Sequence, residues 1–179
     1  MNIEDKDLLL QDLSAKFPYQ VFCAVSDRGD ESAYFKGSFR LKNIQALPDV
    51  DNYPCLMQFD GLSSFYDLNE IRPELFSINF LKRQLFVNGQ AFTPLDKLIE
   101  YLNTKDYGRV ISLENFDLIY DNILMAHNLQ SYETVPLTMM IDIIEWLDRH
   151  HFDTRGLLNK NLAIEIEYDN NIYGEIDFC

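Results

Sequence analysis

Leu9, Leu13 and Phe17 fall on one side of residues 3–16, with Leu10 beside them, and Glu4, Asp5 and Asp7 occupy the first turn. Apolar spacing of this kind predicts a helix, and acids at its start suit the helix dipole. Pro18 stops it. Residues 19–26 (YQVFCAVS) are rich in β-branched and aromatic side chains and predict a strand. A turn cluster at 27–32 and a second strand over 33–41 complete an expected antiparallel hairpin. Residues 43–54, with Pro48 and Pro54, read as loop, and 55–59 as a buried strand. Residues 61–73 read as loop with some strand, and 76–86 as β-like, broken by Lys82 and Arg83.

The pattern then sharpens. Leu85-Phe86-Val87-Asn88-Gly89-Gln90-Ala91-Phe92 places Asn-Gly between apolar residues, and a tight hairpin needs residues that tolerate positive φ at that point. Thr93-Pro94-Leu95-Asp96 reads as a helix start with a capping box, and Leu95, Leu98, Ile99 and Leu102 make the apolar stripe of a helix over 94–103. Phe116, Ile119, Tyr120, Ile123, Leu124 and His127 repeat at helical spacing and predict a helix over 113–127. His127 would then bond the last carbonyls at its C-terminus. In 136–151, Leu137, Met140, Ile141, Ile144 and Leu147 form one stripe and Met139, Ile143 and Trp146 a second. A helix apolar around so much of its circumference is expected to be covered on more than one side. Finally Leu162, Ile164, Ile166 and Tyr168, and after a turn Ile172, Gly174, Ile176 and Phe178, alternate with acids and predict a C-terminal hairpin. The expected fold is a single α+β domain over 1–179: an antiparallel sheet of hairpins with about four helices, the 136–151 helix internal.

Charge narrows the class of partner. Fifteen Lys and Arg against 29 Asp and Glu give a formal charge of −14. That field repels phosphate backbones and anionic bilayers, so no direct nucleic-acid binding and no membrane association are expected; it favours encounter with a basic protein. The N-terminal stretch lacks the basic and apolar regions of a signal peptide. Asp142 and Glu145 interrupt the most apolar run, 137–147, which argues against a bilayer span. Cys23, Cys55 and Cys179 are odd in number and far apart, which predicts neither a disulfide framework nor a metal knuckle, and fits the cytoplasm.

Candidate chemistry gathers at Asp148-Arg149-His150-His151-Phe152-Asp153-Thr154-Arg155-Gly156. His150, His151 and Asp153 are the candidate catalytic residues, as a metal-assisted hydrolase corner completed by a distant carboxylate. Against this, adjacent His on a helix point about 100° apart, whereas a helical zinc pair prefers i, i+4. The alternative is a structural corner: His at the helix C-terminus, Asp153 capping a short helix over 154–161, and Arg155 paired with a carboxylate. Glu165, Glu167, Glu175 and Asp177 line the acidic face of the C-terminal hairpin and are the candidate partner-binding residues. Asp49 and Asp51 are too few for a hard-cation site, and residues 169–174 only mimic the start of a calcium loop. The Arg28-Gly29-Asp30 triplet reads as turn chemistry. Nucleotide, zinc-protease and serine-hydrolase motifs are missing, and no cofactor is implied.

Residues 145–166, EWLDRHHFDTRGLLNKNLAIEI, resemble the segment that ends a family of small proteins from gut bacteria and their phages, which reads W-L-N-x-H-H-F-D-Y-R-G-L-I-x-K-G-L-A. Residues 12–21, DLSAKFPYQV, are similar to its leucine-rich helix followed by L-P-Y-G-V. The likeness covers about thirty residues at the two ends. That family has no assigned activity, so the resemblance implies a lineage and a fold signature, and no catalytic residues. The expected function is that of a small acidic binding or regulatory protein acting by protein–protein contact. A metal-assisted hydrolase and a structural subunit of a phage or host assembly are the alternatives.

Overall fold

A computed structural model of the chain describes residues 1–26, 35–46, 55–87, 90–108, 110–120, 124–128 and 133–167. They fall into two compact units, 1–76 with 157–167, and 77–156. Together they are α+β, with mostly antiparallel sheets.

The first unit begins with α1 (Ile3–Lys16), started by Asn2, whose side chain accepts from the Asp5 amide at 2.7 Å. A 3-10 turn, Phe17–Tyr19, closes on Gln20 in the left-handed region at φ 64°. The strands β1 (Phe22–Ser26), β2 (Phe35–Ala46), β3 (Cys55–Phe59), β4 (Phe65–Tyr66) and β5 (Ile71–Leu75) follow. With β11 (Ile164–Glu165) they form a six-stranded sheet in the order β11-β5-β1-β2-β3-β4. The β1–β2 pairing and buried β3 match expectation; β2 runs on to Ala46, through residues that read as loop. The β1–β2 pairing is interrupted by a bulge in β2 at Gly37 (φ +66°) and Ser38, and a Cβ on Gly37 would lie 2.6 Å from the Phe39 ring. Only glycine satisfies both the backbone and that close approach.

One face of this sheet carries Val21, Cys23, Leu41, Met57, Ile71 and Leu75, buried in one cluster with Leu9 and Leu13 of α1 and with Leu157 and Leu162. The α1 stripe facing that cluster is not purely apolar. It reads Leu9, Asp12, Leu13, Lys16, and Phe17, expected inside, is 38% exposed. Asp12 and Lys16 form a fully buried ion pair.

The expected C-terminal hairpin is described only in part. Ile164–Glu165 pairs in parallel with β5, Ile164 opposite Glu74, and the Ile166 amide donates to the Leu75 carbonyl at 2.9 Å. Its second arm, with Glu175 and Asp177, lies outside the described residues, as do Asp49, Asp51, the 28–30 triplet and 169–174.

The second unit opens with a 3-10 turn, Ile78–Lys82, where a strand pattern was expected. The hairpin of β6 (Leu85–Val87) and β7 (Gln90–Phe92) pairs in the expected register, Val87 opposite Gln90; Asn88 and Gly89 themselves lie outside the described residues. The next helix, α2 (Pro94–Asn103), has the expected capping box: the Thr93 hydroxyl accepts from the Asp96 amide at 3.2 Å, and the Thr93 amide donates to Asp96 Oδ2 at 2.6 Å. Leu95, Leu98, Ile99 and Leu102 are buried, as the stripe requires.

The helix expected over 113–127 is absent. Residues there form β8 (Phe116–Tyr120) and β9 (Leu124–Asn128), an antiparallel pair extended by β10 (Glu133–Thr134). Buried Phe116 and Leu118, then Leu124 and Ala126, keep a two-residue period. Aromatic and β-branched content favours that outcome, and the apparent helical stripe was a coincidence of two strands in sequence. His127 accordingly sits in a strand, opposite Asp117, and not at a helix end. The described residues hold three α-helices, where about four were expected.

The third helix, α3 (Leu137–Arg149), occupies the expected residues but is not internal. Met139, Ile143, Trp146 and Leu147 are buried, while Leu137 and Ile141 are 75% and 56% exposed. The second stripe faces the core, joined by Leu147 from the end of the first.

Candidate functional site

The corner after α3 follows from how the helix ends. His151 has φ 60°, and the Phe152 amide donates to the Leu147 carbonyl at 2.9 Å while the His151 amide donates to Asp148 at 3.2 Å. These bonds form the Schellman stop, with His151 where glycine is usual. The accompanying apolar contact is present, since Phe152 stacks on Trp146 with centroids 6.1 Å apart and leans on Phe80 at 6.4 Å. His150 lies over Trp146 at 4.1 Å, and its Nδ1 is 2.7 Å from the Trp146 carbonyl oxygen, with Nδ1–H as the donor. That is the backbone contact expected of a helix-ending histidine.

Asp148 organises the charges. Arg155 donates to both its carboxylate oxygens, at 2.9 and 3.2 Å, and the Thr154 hydroxyl donates to Oδ1 at 2.7 Å. The two-pronged geometry suits a guanidinium. Arg155 thus finds a carboxylate as expected. Asp153 does not act as the expected cap: the following 3-10 turn, Leu158–Lys160, starts at Leu157 without a side-chain cap. Asp148, His150, His151 and Asp153 are all buried. Among the described residues no group of three His, Cys, Asp or Glu is arranged to hold a metal ion.

A second ionic knot joins the loop after α2 to α3. The Tyr107 hydroxyl donates to Asp142 Oδ2 at 2.5 Å, and Lys105 Nζ lies 3.5 Å from Oδ1. Burial first, then donation to Asp142, pushes the Tyr107 phenol well up, so it remains a donor. Tyr101, then Asp142, raises Lys105. Such groups fasten a loop; they do not supply a proton acceptor near neutrality.

Another exposed feature is the outward row of α3. Leu137, Ile141, Glu145 and Arg149 follow at i, i+4 spacing, with Met140 and Ile144 half-buried beside them. Glu145 and Arg149 pair at 3.1 Å. Elsewhere, Glu165 and Glu167 are both exposed. Sequence reading singled out His150, His151 and Asp153 as candidates, passed over Asp148, which lies in a charged run, and took Leu137 and Ile141 for core.

Comparison with protein families, curated proteins and solved structures gives no match to this chain. Among the described residues no helix is long and apolar enough to cross a membrane.

Proposed function

We propose that this is a small acidic binding protein that acts by contact with a basic protein, and that the outward row of α3 is the contact surface. The observation that carries the reading is the exposure of Leu137 and Ile141, one turn apart on a helix whose opposite side is fully buried. Apolar anchors held on a rigid element are what a binding surface needs at its centre. The formal charge of −14 selects the partner's sign and speeds encounter. Exposed Glu165 and Glu167 belong to that field, within the expected acidic face.

A metal-assisted hydrolase at the corner after α3 has less in its favour. His150 is committed to a helix carbonyl and an indole face, and Asp148, the best-connected carboxylate of the corner, is neutralised by Arg155. A role as a subunit of a larger assembly would use the same row of α3 and has no separate observation in its favour.

Affinity capture with wild type and with a Leu137→Glu/Ile141→Glu double variant tests the proposal. The expected result is a basic protein retained by the wild type at low salt, released as salt rises, and lost with the variant. Retention by both proteins alike, or no capture at all, argues against this surface.

A further inference from the structure

We propose that α1 is a reversible cover, which lifts from the sheet of the first unit about the turn at residues 17–20 and uncovers the apolar face around Cys23 while the sheet stays folded. The stripe that α1 turns inward contains as many charges as leucines: Leu9, Asp12, Leu13 and Lys16, with Asp12 and Lys16 both 0% exposed. A buried ion pair recovers little more than it loses by leaving water, so its contribution to holding the helix down is small. Lifting α1 rehydrates both charges, whereas lifting an apolar stripe of the same size would expose only hydrocarbon to water.

Leu9 and Leu13 of the same stripe are fully buried in the cluster. Leu8 and Leu10 are partly buried against the cluster, and an ion pair between Asp5 and Lys160 at 3.1 Å sits in partly exposed surroundings, where such pairs contribute little. The connection to β1 is a 3-10 turn containing Pro18 and ending at Gln20 in the left-handed region, a discrete joint between helix and strand. Beneath, β1 is bonded on both sides, to β2 and to β5, so the sheet has its own ladder. The cluster that α1 joins through Leu9 and Leu13 holds Val21, Cys23, Leu41, Met57, Ile71 and Leu75, together with Leu68, Leu157 and Leu162.

Cys23 reports the motion. It is fully buried, and burial, with Glu74 and Asp12 as further causes, pushes its thiol well up, so it reacts only when uncovered. The test is alkylation of the native protein by a small maleimide, with the Cys23 peptide followed by mass spectrometry as urea is raised. The expected urea dependence of the Cys23 rate is less than about half that of global unfolding, because a local opening exposes less surface. Amides of α1 are expected to exchange faster than those of β1. Replacing the pair by an apolar one, Asp12→Leu with Lys16→Met, is expected to slow alkylation about tenfold or more. A urea dependence equal to that of global unfolding overturns the proposal, as does joint exchange of α1 and β1 amides, or a folded double variant alkylated as fast as wild type. Should that variant not fold, the wild-type amide comparison decides alone.

Discussion

Three buried charges set the residue-level behaviour, and each was hidden in the sequence for the same reason. Asp12, Lys16 and Asp148 are residue types that are ordinarily solvated, and no local pattern marks them as buried. Their burial depends on partners fixed by the fold. Arg155→Met leaves the Asp148 carboxylate buried without its guanidinium, and a loss of about 3 kcal/mol or more in denaturant unfolding is expected. A loss below about 1 kcal/mol would show that the bridge carries little. Glu74 provides a pH-dependent counterpart. Burial raises its carboxyl above the ordinary value, although the Ser38 hydroxyl, donating to Oε1 at 2.6 Å, works against the shift. The folded protein therefore holds that proton more tightly than the unfolded chain, and stability from this group is fully present below the unfolded pKa and is lost as pH rises through the folded one. Glu74→Gln keeps an acceptor for Ser38. It is expected to be more stable than wild type at pH 7 and equal to it near pH 3, as read by unfolding midpoints across pH. A variant less stable than wild type at pH 7 contradicts the assignment.

At the scale of elements, punctuation was more legible than periodicity. The Thr93–Asp96 box, Pro94 and the Asn88-Gly89 pair lie at the borders of elements that form where expected. Local chemistry dictates such borders, and Thr93→Ala is expected to cost about 1 kcal/mol by removing one side of the box, measurable by thermal or urea unfolding. Periodicity failed over 116–128, where Phe116, Ile119, Tyr120, Leu124 and His127 fit a helical stripe and yet belong to two paired strands. Pairing between strands is a tertiary fact, and no window on a single segment contains it. It failed differently in α3. Two apolar stripes were correctly seen, and the inference that both are covered was the error. The HHFD corner divided the same way. Arg155 pairing with a carboxylate and His150 bonding to a helix carbonyl follow from known preferences of helix ends, while the left-handed His151 is visible only in three dimensions.

For the whole molecule, the formal charge of −14 and the uncovered row of α3 have to be considered together. A field of one sign keeps a protein with exposed leucine and isoleucine from self-association, and speeds the approach of an oppositely charged partner. In the proposed function, encounter depends on the charge and grip on Leu137 and Ile141. The most direct test is titration of the purified partner obtained by capture against wild type and Leu137→Glu/Ile141→Glu, at low and at raised salt. The account predicts a Kd at least about a hundredfold weaker for the variant, the size expected when two central anchors are lost, with its unfolding midpoint unchanged because both side chains already face water. It also predicts weakening with salt for wild type. A variant Kd within about twofold of wild type, with both proteins folded, contradicts it.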